Sequence, residues 1–345
     1  MMRFYIKYGI KGVGISLFFW TILSICYKIA TMKLKIIIRI IIYSLLIFIL
    51  IYKLKDFFFT NSEYSKVNPN SLKINMIKII NDERESNNIP SVEYDSIASV
   101  SAQYHADEMK KHNYFSHYSI NGIPPYIRYS LKSNGAFAIG ENIALGTNYK
   151  LLKIGFIELK GKIDIKNIIK KLNYDMYSEK PPNDGHRKTI LNKHYNHIGI
   201  GIAYNDTLLF YVETFTGKYI KLLNDIPHKI KAGNSINVYA QILYDSLKLD
   251  HIKVYYDKIP DSLPLDNDFF IDQRNCYSYP DSVIYYLTAQ LKINSNTNFY
   301  NTIQIYDNQF YGNIYTFYKG FYTIVPILSD GSDLFEGANI SILAE

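Results

Sequence analysis

The chain has 345 residues, with 38 Lys and Arg against 31 Asp and Glu, and a formal charge of +7. That excess is confined to residues 1–55, which hold nine basic side chains and no acidic one; the other 290 hold 29 basic and 31 acidic groups. A body of net charge −2 argues against a phosphate-neutralising nucleic-acid surface, and 15% aromatic residues argue against disorder.

Two apolar runs come first. Gly12–Tyr27 has 16 residues without a charge, and Ile36–Tyr52 has 17 interrupted only by Arg39, near its start. Each reaches the lower end of the ~17–25 residues that a spanning helix needs. Residues 1–55 are therefore expected to be a membrane anchor with one or two transmembrane helices, 12–27 and 36–52. No small-residue cleavage site follows Tyr52, which favours an uncleaved anchor over a removed signal peptide. Met32-Lys-Leu-Lys also reads as a start site with its own basic segment. The basic stretch Lys28–Arg39 belongs on the cytoplasmic side, which places everything after Lys55 outside.

Residues 56–69 read as a polar stalk. In the next segment, Leu72, Met76, Ile79 and Ile80 have helical spacing, and the helix stops before Pro90. Asp95 is placed to cap a second helix carrying Ala98, Ala102, His105, Ala106 and Met109 on one stripe. Pro124-Pro125 opens a third helix, closed by Gly135. Tyr149–Leu172 reads as a weaker helix, interrupted by Gly155 and Gly161. Ile198–Tyr204 and Leu208–Phe215 flank Asn205-Asp206 as a hairpin. Alternating helices and strands over 70–220 predict a layered α/β domain. Over 221–345, short Ile-, Val- and Tyr-rich runs, among them Ser235–Leu243, Ile252–Ile259, Ser282–Ile293 and Tyr322–Leu328, predict an all-β sandwich of Ig-like type.

Familiar catalytic signatures are missing: there is no Gly-x-Ser-x-Gly turn and no His-Glu-x-x-His helix. Gly199-x-Gly201 lacks a third glycine and lies in a strand pair, so it carries no dinucleotide signal. Cys26 falls in the first apolar run and Cys276 in the β region, so the α/β domain has neither an internal disulfide nor a cysteine nucleophile. Three polar, turn-rich elements remain: Asn113-Tyr-Phe-Ser-His117, Gly140-Glu141-Asn142-Ile143-Ala144 and Asp184-Gly185-His186-Arg187. Two imidazoles and a carboxylate, if they converge, suit either a zinc-type site or a carboxylate-oriented general base. Without convergence they are ordinary satisfied polar groups. His105, on an apolar stripe, reads as a hydrogen-bonded core residue.

In this order the elements resemble the CAP superfamily of cysteine-rich secretory, antigen 5 and pathogenesis-related proteins, in its bacterial type. Further matching pieces are Asn81-x-x-Arg84, Ile89-Pro90, Ala102-x-x-His105-Ala106-x-x-Met109, Arg128, Gly185-His-Arg-Lys-Thr-Ile-Leu191 and Ile198-Gly-Ile-Gly-Ile. The resemblance implies an α-β-α sandwich whose cleft gathers His117, Glu141 and His186, a site that binds a divalent cation, zinc foremost, in some relatives. It also implies a second acid after a tryptophan. The domain has no tryptophan, and Asp175 is the first choice for that acid, with Glu158 and Asp164 behind it. Asn142 and Arg187 border the cleft; Asn142 is expected to fix its turn through the backbone, and Arg187 to pair with a carboxylate.

Three functional readings follow from this resemblance. The first is a cell-envelope binding or interaction module for a lipid, glycan or protein ligand, anchored in the membrane and contacting no nucleic acid. The second is a metal-dependent hydrolase or peptidase, with Glu141 and His186 in catalytic roles. The third is a purely structural envelope protein.

Overall fold

The computed structural model describes residues 6–59, 69–133, 135–147, 149–154, 157–162, 164–266, 268–274, 277–280, 283–288 and 300–345. By contacts the chain forms two units: Met1–Ser62 with Leu152–Lys162, and Glu63–Leu151 with Ile163–Glu345. Cys276, residues 60–68 of the expected stalk and both ends of the expected strand Ser282–Ile293 lie outside the described residues.

In the first unit, helix α1 runs unbroken over Ile6–Phe59. Both apolar runs lie on it, and the basic stretch between them is helical as well. No Pro or Gly occurs between Tyr27 and Ile36 to break the helix, and Lys and Arg are good helix formers. Its stretch Phe19–Tyr52 is long and apolar enough, by length and composition, to cross a membrane.

The second unit begins with α2 (Pro69–Glu85), β1 (Glu93–Tyr94), α3 (Ser96–His112), β2 (Tyr114–Phe115), α4 (Pro125–Ser133) and β3 (Ala138–Thr147). Residues 149–172, expected as a weak helix, instead contain strands β4 (Tyr149–Ile154) and β5 (Ile157–Lys162). Helix α5 (Ile165–Tyr177) starts only after Asp164, whose carboxylate accepts the Lys166 amide as an N-cap. Then come α6 (Gly185–Ile190), β6 (His197–Tyr204) and β7 (Leu208–Gly217).

Strands β1, β6, β7 and β3 form one sheet in that order, with β1 parallel to β6 and the other pairs antiparallel. Period-2 alternation divides its side chains between two layers. Leu209, Tyr211 and Phe215 of β7 pack with α2 and α5 residues such as Ile80 and Ile169, whereas Phe210 and Val212 pack with Ala102, Ala106 and Met109 of α3. Each fully buried Ile, Phe or Met of these layers stabilises the fold by about 1.5–3 kcal/mol. The glycines of β6 let α3 lie close: a Cβ at Gly199 would come 2.0 Å from the Ser99 amide nitrogen, and one at Gly201 would come 2.2 Å from the Ala102 carbonyl oxygen.

Among the described residues of the rest, the regular elements are strands: β8 (Ile220–Leu222), β9 (Lys229–Ile230), β10 (Ser235–Ile242), β11 (Lys248–Asp257), β12 (Phe270–Ile271), β13 (Val283–Thr288), β14 (Tyr300–Thr302), β15 (Gln304–Tyr306), β16 (Gln309–Tyr315), β17 (Gly320–Ser329), β18 (Leu334–Glu336) and β19 (Ile340–Ala344). One sheet has the order β15-β16-β10-β8; the other runs β14-β13-β11-β17-β19-β9, with β18 on β17. Val238, Ala240, Phe310 and Ile314 of the first share one core with Ile252, Leu287, Tyr322 and Ile342 of the second.

The β region is joined to the helical layers. Strand β12 pairs in parallel with β2, Tyr126 donates its hydroxyl to Asp257, and the Ile139 and Ser341 amides donate to Asn339 Oδ1 and Ser130 Oγ at 3.1 and 2.7 Å. Phe321 completes an apolar cluster with Tyr126, Ile127 and Ile139.

Candidate functional site

His117 is placed by the turn that ends α3. Asn113 takes the left-handed conformation there (φ 57°), common for Asn at a helix end, and sends the chain into β2. Two contacts then fix the peptide around His117: His105 Nε2 lies 2.8 Å from the Ser116 carbonyl, and Arg128 Nη1 donates to the His117 carbonyl at 2.7 Å. His105 is fully buried, and burial followed by the nearby Arg128 lowers its pKa, keeping it neutral. The core reading of His105 thus agrees with its place in the structure.

Glu141 reaches His117 from β3. His117 Nδ1 lies 3.1 Å from Glu141 Oε1, and Arg128 Nη2 donates to Glu141 Oε2. Burial, the largest single influence, would raise the Glu141 carboxyl, but the Arg128 charge, with smaller contributions from His105 and the His117 hydrogen bond, holds it down to about 2.

His186 sits in the first turn of α6, and its carboxylate partner is Glu179. Glu179 Oε1 lies 2.5 Å from His186 Nδ1, and Oε2 accepts the His186 amide at 3.0 Å. Buried Arg84 holds the segment after α6 by donating to the carbonyls of Ile190, Asn192 and Tyr195 at 2.6, 3.0 and 2.9 Å.

Asp175, the expected second acid, points elsewhere: it is exposed and pairs with Lys171 one helical turn earlier. Asp164 is the α5 cap, and Glu158 belongs to β5, whose side chains lie outside the described residues. Glu179 carries no periodic signal because it precedes a Lys-Pro-Pro turn; its only mark in the sequence is that it is an acid close before Gly185-His186. Asn142, expected to act through the backbone of a turn, is a buried strand residue whose Nδ2 donates to Glu213 Oε2 at 3.0 Å and to the His186 carbonyl at 3.2 Å. Arg187 pairs with no carboxylate among the described residues; it donates to the Tyr177 carbonyl and Asn87 Oδ1, with its guanidinium over the Tyr177 ring.

His117, Glu141, Asn142, Glu179 and His186 border one groove of about 840 Å³. Sequence reasoning missed its opposite wall, which comes from the β region as Tyr277, Ser278, Tyr279 and Glu336. The Tyr277 hydroxyl accepts the Glu141 amide at 2.5 Å, and its ring lies 4.9 Å from that of His117. Tyr279 stacks on Tyr255 at 4.5 Å and donates its hydroxyl to Glu336 Oε2 at 2.9 Å. No sequence pattern links these tyrosines to motifs more than 130 residues away.

The donor set suits a cation only in part. Each imidazole engages a carboxylate through Nδ1, the arrangement that orients histidine ligands and leaves Nε2 as the ligating atom. Glu141 is less suited, since its oxygens already serve His117 and Arg128. Among the described residues, a group of three ligating side chains with donor atoms within 4.8 Å of one another occurs elsewhere, at His194, Asp330 and Asp333. There Lys193 Nζ already lies 2.5 Å from Asp333.

Residues 77–219 match the family model "CAP: Cysteine-rich secretory protein family". The chain is 30% identical over 161 residues to the Bacillus subtilis protein named uncharacterized protein YkwD, a match covering 46% of this chain and 51% of that one; the chain thus spans about half the length of this curated relative. A solved extracellular protein containing an SCP domain from Bacillus anthracis is 24% identical, with 46% of this chain and 44% of that one covered and a TM-score of 0.34. For a cysteine-rich secretory protein from Staphylococcus aureus the values are 18%, 44%, 40% and 0.30.

Proposed function

Residues 77–219 belong to the CAP family, and from that premise we propose that this protein is a membrane-anchored, extracytoplasmic binding module of the cell envelope. The observation that carries the reading is the groove itself: about 840 Å³, within the size range of small-molecule sites, with two oriented imidazoles and a wall drawn from a second region. In this organisation residues 1–55 anchor the chain, 56–69 are a stalk, 70–220 are the CAP domain and 221–345 an Ig-like β-sandwich. The length and composition of α1, with Lys28–Arg39 on the cytoplasmic side, support the anchoring and its orientation. The core shared by the two C-terminal sheets supports the sandwich.

The hydrolase reading has less support. A general base works best with a pKa near the working pH, and Glu141 is held down to about 2. If the groove takes a divalent ion, His117 and His186 would hold it through Nε2, and the ion would supply a positive centre for a ligand oxygen.

The test uses the full chain in lipid nanodiscs and reads thermal shifts with three probes: zinc chloride, chitotetraose and phosphatidylglycerol vesicles. A saturable shift with at least one probe, lost when Tyr277 and His186 are both replaced by Ala, is the expected result. No shift with any probe would favour the purely structural reading.

A further inference from the structure

We propose that the groove takes a neutral saccharide chain, and that the β region supplies its stacking wall through Tyr277 and Tyr279. This rests on the binding-module reading and names its ligand class.

The groove's lining excludes the alternatives one by one. Among the described residues that border it there is no Lys or Arg. The nearby guanidinium of Arg128 is committed to Glu141 and to the His117 carbonyl. An anionic phospholipid headgroup or a phosphate would therefore meet no free positive charge. A cationic ligand fares little better. Glu141 is neutralised by Arg128, Glu179 is engaged with His186, and Glu336 accepts the Tyr279 hydroxyl. Burial raises the Glu336 carboxyl as well, favouring its neutral form.

An acyl chain or sterol would need aliphatic walls, and Ile139 and Pro182 are the only aliphatic members of the lining. The lining does hold four tyrosines, Tyr126, Tyr195, Tyr277 and Tyr279, among amides, hydroxyls and carboxyls. A pyranose ring matches that mixture: its axial C–H bonds present a positive edge to an aromatic face, while its equatorial hydroxyls reach polar groups at the rim.

The platform is built before any ligand arrives. The Tyr277 hydroxyl holds the Glu141 amide and its ring lies beside His117. The Tyr279 ring is 4.5 Å from Tyr255 at an interplanar angle of 11° and 4.7 Å from Tyr126. Few rotamers remain to be frozen on binding, which favours affinity.

Calorimetric titration of the full chain in nanodiscs, without sugar-based detergent, tests the proposal with chitotetraose and cellotetraose. At least one should bind saturably. Tyr277→Ala and Tyr279→Ala should each weaken it by about tenfold, while Tyr279→Phe, which keeps the ring, should stay close to wild type. Should an alanine variant fail to fold by circular dichroism, Tyr277→Phe and Tyr279→Leu, which separate ring from hydroxyl, decide the same point. Absence of binding by both oligosaccharides, or binding that the Tyr variants leave unchanged, overturns the proposal. A zinc or vesicle response alone overturns the saccharide assignment and leaves the binding module standing; no response to any probe removes both.

Discussion

The two imidazole–carboxylate pairs of the groove are built from the same groups and held in opposite ways. At the His117 end the side chains are 7% and 2% exposed, Glu141 lies on a sheet strand, and Arg128 closes the network. At the His186 end they are 32% and 24% exposed, and both residues belong to a loop and a six-residue helix. The first pair is framework that orients a ring. The second is partly open to solvent, so water screens its charges and the pair is held less tightly.

The largest effect that would break this comparison is at Arg128. Arg128→Met leaves Glu141 buried and uncompensated, and should cost about 3–5 kcal/mol in denaturant titrations of the full chain. Arg128→Met with Glu141→Gln should recover part of that loss. A loss below about 1 kcal/mol for the single variant would place Glu141 in contact with water and end the distinction between the two pairs.

Buried Arg84 supports the segment that follows α6 at the His186 end. Removing its hydrogen bonds to four carbonyls, those of Pro90, Ile190, Asn192 and Tyr195, by Arg84→Met should cost about 3 kcal/mol and speed amide exchange over residues 190–195. Unchanged exchange there would mean that α6 is held by its apolar contacts instead.

The pH dependence sharpens the contrast through two neighbouring glutamates. Glu141 is held at about 2 in the fold against an ordinary value of 4.5. The stability it confers is fully present above pH 4.5 and is lost as pH falls towards 2, so Glu141→Gln should flatten the acid limb. Buried Glu213 is pushed up to about 7, mainly by burial. It therefore destabilises the fold as pH rises from about 4.5 to 7, and Glu213→Gln should be more stable than wild type at pH 8 by about 2–3 kcal/mol and indistinguishable at pH 4. Melting temperatures across pH 4–8 check the sign, and a stability gain at pH 4 equal to that at pH 8 would show that Glu213 does not titrate in this window.

The smallest effect is expected at Glu179. Glu179→Gln should change stability by less than about 1 kcal/mol, because the pair is partly exposed. It should still alter the His186 ring nitrogen resonances, since the carboxylate sets which nitrogen carries the proton.

Much of the helical segment was legible because its signals are local. Asp95 as a cap, the apolar stripe of α3, the Asn205 turn and the Gly199–Gly201 strand depend on neighbours a few residues away. The helix expected over 149–172 holds only from Ile165 onward, for a related reason: over 149–162 alternating Leu, Ile and Lys fit both periods, and two glycines are weak evidence against a helix. Asp175 has the acid character of the expected second carboxylate, but Lys171 four residues earlier marks it as half of a solvated helical ion pair.

Composition, motif order and spacing by themselves determined that an apolar, positively flanked segment precedes a CAP-like α/β segment with His117, Glu141 and His186 in three polar elements. They also determined that a strand-rich region follows. Only the tertiary structure decided that Glu179 serves His186, that Arg128 fixes Glu141, and that Tyr277 and Tyr279 wall the groove. Those choices depend on pairings between residues far apart in the chain and on desolvation, which acts on a side chain only once the layers around it have packed.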